Sequence, residues 1–169
     1  ELLLAESLPL LKVLQDESPY VSSLAWILPD NQVLLRTHSP DDGSQDIGKN
    51  IGNIHPDIAH ANRSQEPNSG FNLGRHGVQF RVVQPVTLDG QHVGVVQLGL
   101  DEGQLMQMLH QRLKIPFFLH IPPEIFKDIL DPEEFLKKAT VPSQLYQGGA
   151  VISPNLSRLQ NALPTITMG

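Results

Sequence analysis

Apolar residues recur at Leu3, Leu4, Leu8, Leu11 and Leu14, a spacing that predicts an amphipathic helix over residues 1–15, kinked at Pro9 unless it starts near that proline, and packed against something. The pattern then shortens. Val21 to Leu28 and Gln32 to His38 are β-leaning runs joined by Pro29-Asp30-Asn31, good turn chemistry, which predicts a hairpin. Asp41 to Asn53 reads as a polar loop, with Gly43, Gly48 and Gly52, and His55 to Asn62 as a short helix with Pro56 in its first turn. Three further strands follow at Ser69–Leu73, Val78–Leu88 and His92–Leu100, the last two closed by Asp89-Gly90-Gln91. Five antiparallel strands with helices on one side make an α+β layer fold.

After Asp101 the period becomes helical, with Leu105, Met108, Leu109 and Leu113 on one face. Pro116 to Ile121 predicts a short buried strand, and 122–130 and 132–138 predict two short helices. From Thr140 onward Pro, Gly, Ser and Asn become frequent, and the pattern assigns no element there. The expected division is a main domain over 1–101 and a smaller helical and strand subdomain over 102–169.

A chain of 169 residues is long enough to bury a substantial core. Its 12 basic against 18 acidic residues argue against binding a phosphate backbone, so nucleic acid is not expected as a partner. With no cysteine, disulfides, thiolate metal sites, a cysteine nucleophile and covalent haem are excluded, leaving only noncovalent haem through a lone histidine open. Of the seven histidines, the close pair His55 and His60 is spaced by five and falls on different sides of a helix, so no metal site is expected. Neither a nucleophile elbow nor a Gly-rich phosphate loop is present, and the reading is of a protein that is not an enzyme and carries no cofactor. The longest leucine run, Leu2-Leu3-Leu4, is too short to span a membrane. The chain opens inside an apparent helix, from which a longer, membrane-anchored parent is expected.

Strand alternation puts Leu34, Arg36 and His38 on one face and Val33, Leu35 and Thr37 on the other. Arg36 and His38 then either line a site or face solvent. Arg81 sits among Phe80, Val82 and Val83, so its charge needs a partner. That partner is either a ligand carboxylate or an aspartate such as Asp46, Asp57 or Asp101. In the first case Arg81→Ala removes binding and leaves the fold standing, whereas in the second it costs roughly 3 to 5 kcal/mol. Arg75 and His76, between Gly74 and Gly77, are open between ligand contact and solvent, as Phe71 and Trp26 are between a pocket wall and the core.

Leu35-Arg36-Thr37-His38-Ser39-Pro40, Ser69-Gly70-Phe71 with Gly74 and Gly77, Arg81, Pro85-Val86, Gly94 and Leu98-Gly99-Leu100 together resemble the Cache-type extracytoplasmic sensor domains of bacterial chemoreceptors, sensor histidine kinases and diguanylate cyclases. The resemblance implies a PAS-like five-stranded antiparallel sheet behind an N-terminal signalling helix, with 102–169 membrane-proximal. It also implies a periplasmic location within an inner-membrane receptor that is a homodimer at full length. The ligand expected is a small organic acid or an amino acid, held by Arg36, His38, Phe71, Arg75, His76 and Arg81. The alternative is an interaction module that signals through a periplasmic partner protein and binds no small molecule.

Overall fold

A computed structural model describes residues 2–37, 46–74, 77–126, 143–146 and 149–154. The chain forms two compact units, Glu1–Asn72 with Gln79–Asp101, and Leu73–Val78 with Glu102–Gly169.

The first unit carries α1 (Leu2–Glu17), β1 (Val21–Ile27), β2 (Val33–Arg36), α2 (Pro56–Ser64), and most of β3 (Asn68–Gly74), β4 (Gly77–Leu88) and β5 (Gln91–Asp101). Its strands form one sheet in the order β2-β1-β5-β4-β3, antiparallel between β1 and β2, β1 and β5, and β4 and β5. The β4–β5 turn takes positive φ at Asp89 (51°) and Gly90 (76°), the backbone that a two-residue hairpin favours. α1 is one helix with Pro9 inside it.

The helices cover both faces of the sheet rather than one. Ile58 and Ala61 of α2 and Ile51 of the preceding loop pack with Ala25, Ile27, Val33, Val83 and Val95. Leu24 instead packs with Leu11 of α1, flanked by Trp26, Val96, Leu98 and Leu100. Adjacent strand residues point to opposite faces, so Leu24 and Ala25 serve different cores. Trp26 donates its indole Nε1–H to the buried Ser7 hydroxyl at 2.9 Å, pinning α1 to its face. Trp26→Phe leaves that hydroxyl buried without its donor and is expected to cost about 1 to 2 kcal/mol, read from urea unfolding followed by circular dichroism.

Strict alternation in β2 does not hold. Ala25 pairs with Arg36 and Trp26 with Leu35, but a register shift then pairs Ile27 with Val33. Such a bulge places two residues against one, so Val33 joins the core on the face that carries Arg36.

α2 is held by the buried Asn62. Its Nδ2 donates at 2.9 Å both to the Leu28 carbonyl and to Asn31 Oδ1, so its Oδ1 accepts from His92 Nε2, also at 2.9 Å. Loop residues 46–54 run beside β2, where Val33 N–H donates to the Lys49 carbonyl and Gly48 N–H to the Val33 carbonyl. These contacts determine where His55, Asp57 and Asp46 lie over the sheet.

The second unit contains α3 (Glu102–Leu113), β6 (Leu119–Ile121), α4 (Pro123–Phe126), β7 (Ser143–Tyr146) and β8 (Gly149–Ile152), with an antiparallel sheet ordered β6-β8-β7. Val78, Met106, Ile121, Ala150 and Ile152 form its core. The expected face of α3 is displaced, since Gly103 and Met106 are its buried residues and Leu113 is exposed. β7 and β8 are not anticipated by the sequence pattern. Gly149-Ala150-Val151-Ile152 is wholly buried, and so short an apolar run among Pro, Gly and Ser shows no period of its own. The helix expected over 132–138 and the end of the one over 122–130 lie outside the described residues.

Candidate functional site

Strand register assembles a polar cluster on the α2-facing side of the first sheet. Ala25 opposes both Arg36 and Gln97, while Ser23 and Arg81 both oppose Gly99. Ser23, Arg36, Gln97 and Arg81 therefore share one face, and Gln79, two residues before Arg81, joins them. Gly99 lies at the centre. A Cβ there would collide with the Gln79 amide and the Ser23 hydroxyl, which lie across the glycine.

Arg81 is only 6% exposed. Its Nη1 stands 2.7 Å from His55 Nδ1, and because a guanidinium only donates, Nδ1 accepts and the ring carries its proton on Nε2. Arg81 Nε–H donates to Gln79 Oε1 at 3.3 Å. Asp57 Oδ2 lies 3.9 Å from Nη1, close enough to balance charge but beyond hydrogen-bond reach. Both Asp57 carboxylate oxygens are buried, and among the described residues neither accepts a hydrogen bond. Burial lowers the Arg81 pKa from its ordinary value, Asp57 opposes that shift and the nearby Arg36 adds to it. A guanidinium starts so high that Arg81 stays cationic.

Arg36 donates from Nη1 to Asp46 Oδ2 at 2.9 Å, and Lys49 Nζ reaches the other oxygen of the same carboxylate at 3.3 Å. Burial lowers the Arg36 pKa and Asp46 counters it. The guanidinium groups of Arg36 and Arg81 and the Asp57 carboxylate, whose oxygens accept no hydrogen bond from the described residues, thus meet over one face. Such a cluster can bind an anionic group and, beside it, a protonated donor.

Of the residues singled out by sequence, Arg36 and Arg81 come together here. Phe71 does not. Its ring meets Phe80 edge-on, with centroids 5.1 Å apart and planes at 84°, and Phe80 alternates with Arg81 along β4. Phe71 and Trp26 accordingly belong to the α1-facing side, away from the arginines. His38, Arg75 and His76 lie outside the described residues. Of the aspartates left open as partners, Asp57 is the one beside Arg81, while Asp46 serves Arg36. His55 and Gln79 were missed as site residues. The alternation of β4 marks Gln79 as sharing the Arg81 face, but nothing in the sequence brings the start of α2 over that strand.

A family model described as the double sensory domain of two-component sensor kinases, dCache_3, matches residues 3–130. No curated protein matches the sequence. Among solved structures, the sensor domain of the Vibrio cholerae histidine kinase DctB aligns with a TM-score of 0.54 at 14% identity, covering 82% of this chain and 60% of that one. An extracellular ligand binding receptor from Desulfohalobium retbaense aligns with a TM-score of 0.51 at 14% identity, covering 84% of this chain and 29% of that one. At such identity the likeness is one of fold. This chain spans three fifths or less of both proteins.

Proposed function

We propose that this chain, which belongs to the dCache_3 family of double sensory domains of two-component sensor kinases, is an extracytoplasmic ligand-sensing domain of a membrane-anchored, homodimeric receptor and binds a small carboxylate. Among the described residues no helix is long and apolar enough to cross a membrane. The observation that carries the ligand reading is the Arg81 and Asp57 pair, a buried cation beside a buried carboxylate that accepts no hydrogen bond from the described residues.

Unfilled acceptors in a buried site are costly, and a ligand that supplies donors removes that cost. A plain organic acid would satisfy Arg81 and leave Asp57 as it is. An amino acid satisfies both, its carboxylate meeting the guanidinium and its ammonium meeting Asp57. The proposed ligand is therefore an amino acid in preference to an organic acid. His55 would release Arg81 Nη1 to the ligand, and Arg36, already paired with Asp46, would add to the field.

Thermal denaturation with L-amino acids, their des-amino acids and their amides tests this. A ligand at 100 times its dissociation constant stabilises by about 2.7 kcal/mol. The expected order is amino acid first, with the des-amino acid and the amide each at least about tenfold weaker, since each loses one charge-assisted bond. Equal binding of amides would remove Arg81 as the carboxylate anchor. No shift with any compound would favour the module that signals through a protein partner.

A further inference from the structure

The Arg81 guanidinium is the first member of a hydrogen-bonded chain that leaves the cluster and ends on α1. Arg81 Nε–H donates to Gln79 Oε1, and Gln79 Nε2 reaches both Ser22 Oγ and Ser23 Oγ, each of these contacts being 3.3 Å. Consecutive serines are reachable from one side because the β1–β5 register shifts between Val21 and Ser23. Ser22 Oγ–H then donates to the Gly99 carbonyl at 3.0 Å, holding the bulge against β5. At the start of β1, the Val21 carbonyl accepts from Gln15 Nε2 of α1 at 3.1 Å. Val21 N–H donates to the Ser18 carbonyl at 3.1 Å, and Ser18 N–H to the Leu14 carbonyl at 2.8 Å. The bulge in β1 is thus tied on one side to Arg81 and on the other to the last turn of α1.

We propose that Gln79 is a positioning residue that couples the Arg81 guanidinium, through the β1 bulge, to the C-terminal turn of α1. The proposal rests on the preceding reading only in taking Arg81 as the residue a ligand engages. Gln79 both orients the guanidinium and senses its position, because one carboxamide accepts from Arg81 and donates to the bulge. A ligand that draws Arg81 away from Gln79 frees that carboxamide to turn, and the serines of the bulge turn with it. Gly99 is part of the device, since any Cβ there displaces the Gln79 amide from the sheet. Coupling of this kind needs a physical connection with two arrangements, which a bulge held by side-chain bonds supplies.

The test needs no ligand, so its failure leaves the ligand proposal standing, and an unresponsive ligand panel leaves this test intact. Native-state hydrogen exchange of the Ser18 and Val21 amides is compared with that of Val83 in the sheet core, in the parent, R81K, Q79A and the double variant. R81K keeps the charge and removes the Nε donor. It is expected to lower Ser18 and Val21 protection about fivefold relative to Val83 in the parent background, and less than about twofold when Gln79 is already alanine. An R81K effect of the same size in both backgrounds, or none in the parent, overturns the coupling. Should R81K not fold, Q79A and G99A decide: a selective loss of about fivefold at Ser18 and Val21 supports the chain, and normal protection in both overturns it.

Discussion

Arg81→Ala is expected to abolish the response to every compound in the ligand panel and to cost the unliganded domain about 3 kcal/mol in urea unfolding at neutral pH. The cost follows from Asp57, whose side chain is 10% exposed and has Arg81 as its charge partner at 3.9 Å. Removing the guanidinium strands that carboxylate, and His55 Nδ1 loses the donor 2.7 Å away. The loss sits at the lower end for a broken buried pair because the two groups are not hydrogen-bonded to each other. Adding Asp57→Asn should recover most of the stability and none of the binding, since it neutralises the stranded charge without restoring the anchor. An Arg81→Ala domain as stable as its parent would mean that Asp57 does not depend on Arg81. Retained ligand binding in the same variant would remove Arg81 from the site altogether.

Gly94→Ala is expected to destabilise the first unit by about 3 to 5 kcal/mol, the sum of two independent penalties. Gly94 has φ of +134°, a backbone conformation that side chains with a Cβ rarely adopt. Its added Cβ would also strike the Ile27 carbonyl oxygen and come within 3.2 Å of the Leu28 Cα, and backbone in the middle of a sheet cannot step aside. Gly90→Ala is the control. That glycine has φ of +76° but nothing within 4 Å of the added carbon, so it bears the conformational penalty alone, about 1 kcal/mol. Equal shifts in urea midpoint for the two variants would show that the close approach of β1 and β5 at Gly94 yields easily.

Much of the first unit was legible because its signals are local. The turn residues Pro29-Asp30-Asn31 and Asp89-Gly90 mark two hairpins, and the apolar periods between them place β1, β2, β4 and β5 to within a residue or two. Pro56 marks the start of α2 for the same reason, since a proline lacking its N–H loses nothing in the first helical turn. The second unit was less legible. β7 and β8 are four residues each, and the burial of β8 comes from neighbours distant in sequence, namely Met106 and Ile121. α3 failed differently, because four apolar residues on one stripe lost the core position to Met106, one residue off it.

The sequence by itself determined an α+β fold, its hairpins, and the two arginines that could serve an anion, because turn chemistry, apolar period and residue type are properties of short segments. For the partner of Arg81 its pattern left open a ligand carboxylate or an aspartate such as Asp46, Asp57 or Asp101. Only the tertiary structure chose among the aspartates, since which one lies 3.9 Å from the guanidinium depends on how α2 is seated by Asn62, Leu28 and His92. Phe71 was decided in the same way, its ring placed on Phe80 and so on the far side of the sheet from Arg81. The bulge that turns Val33 onto the Arg36 face is likewise a pairing between two strands. Local sequence sets what a residue can offer; long-range packing sets what stands opposite it.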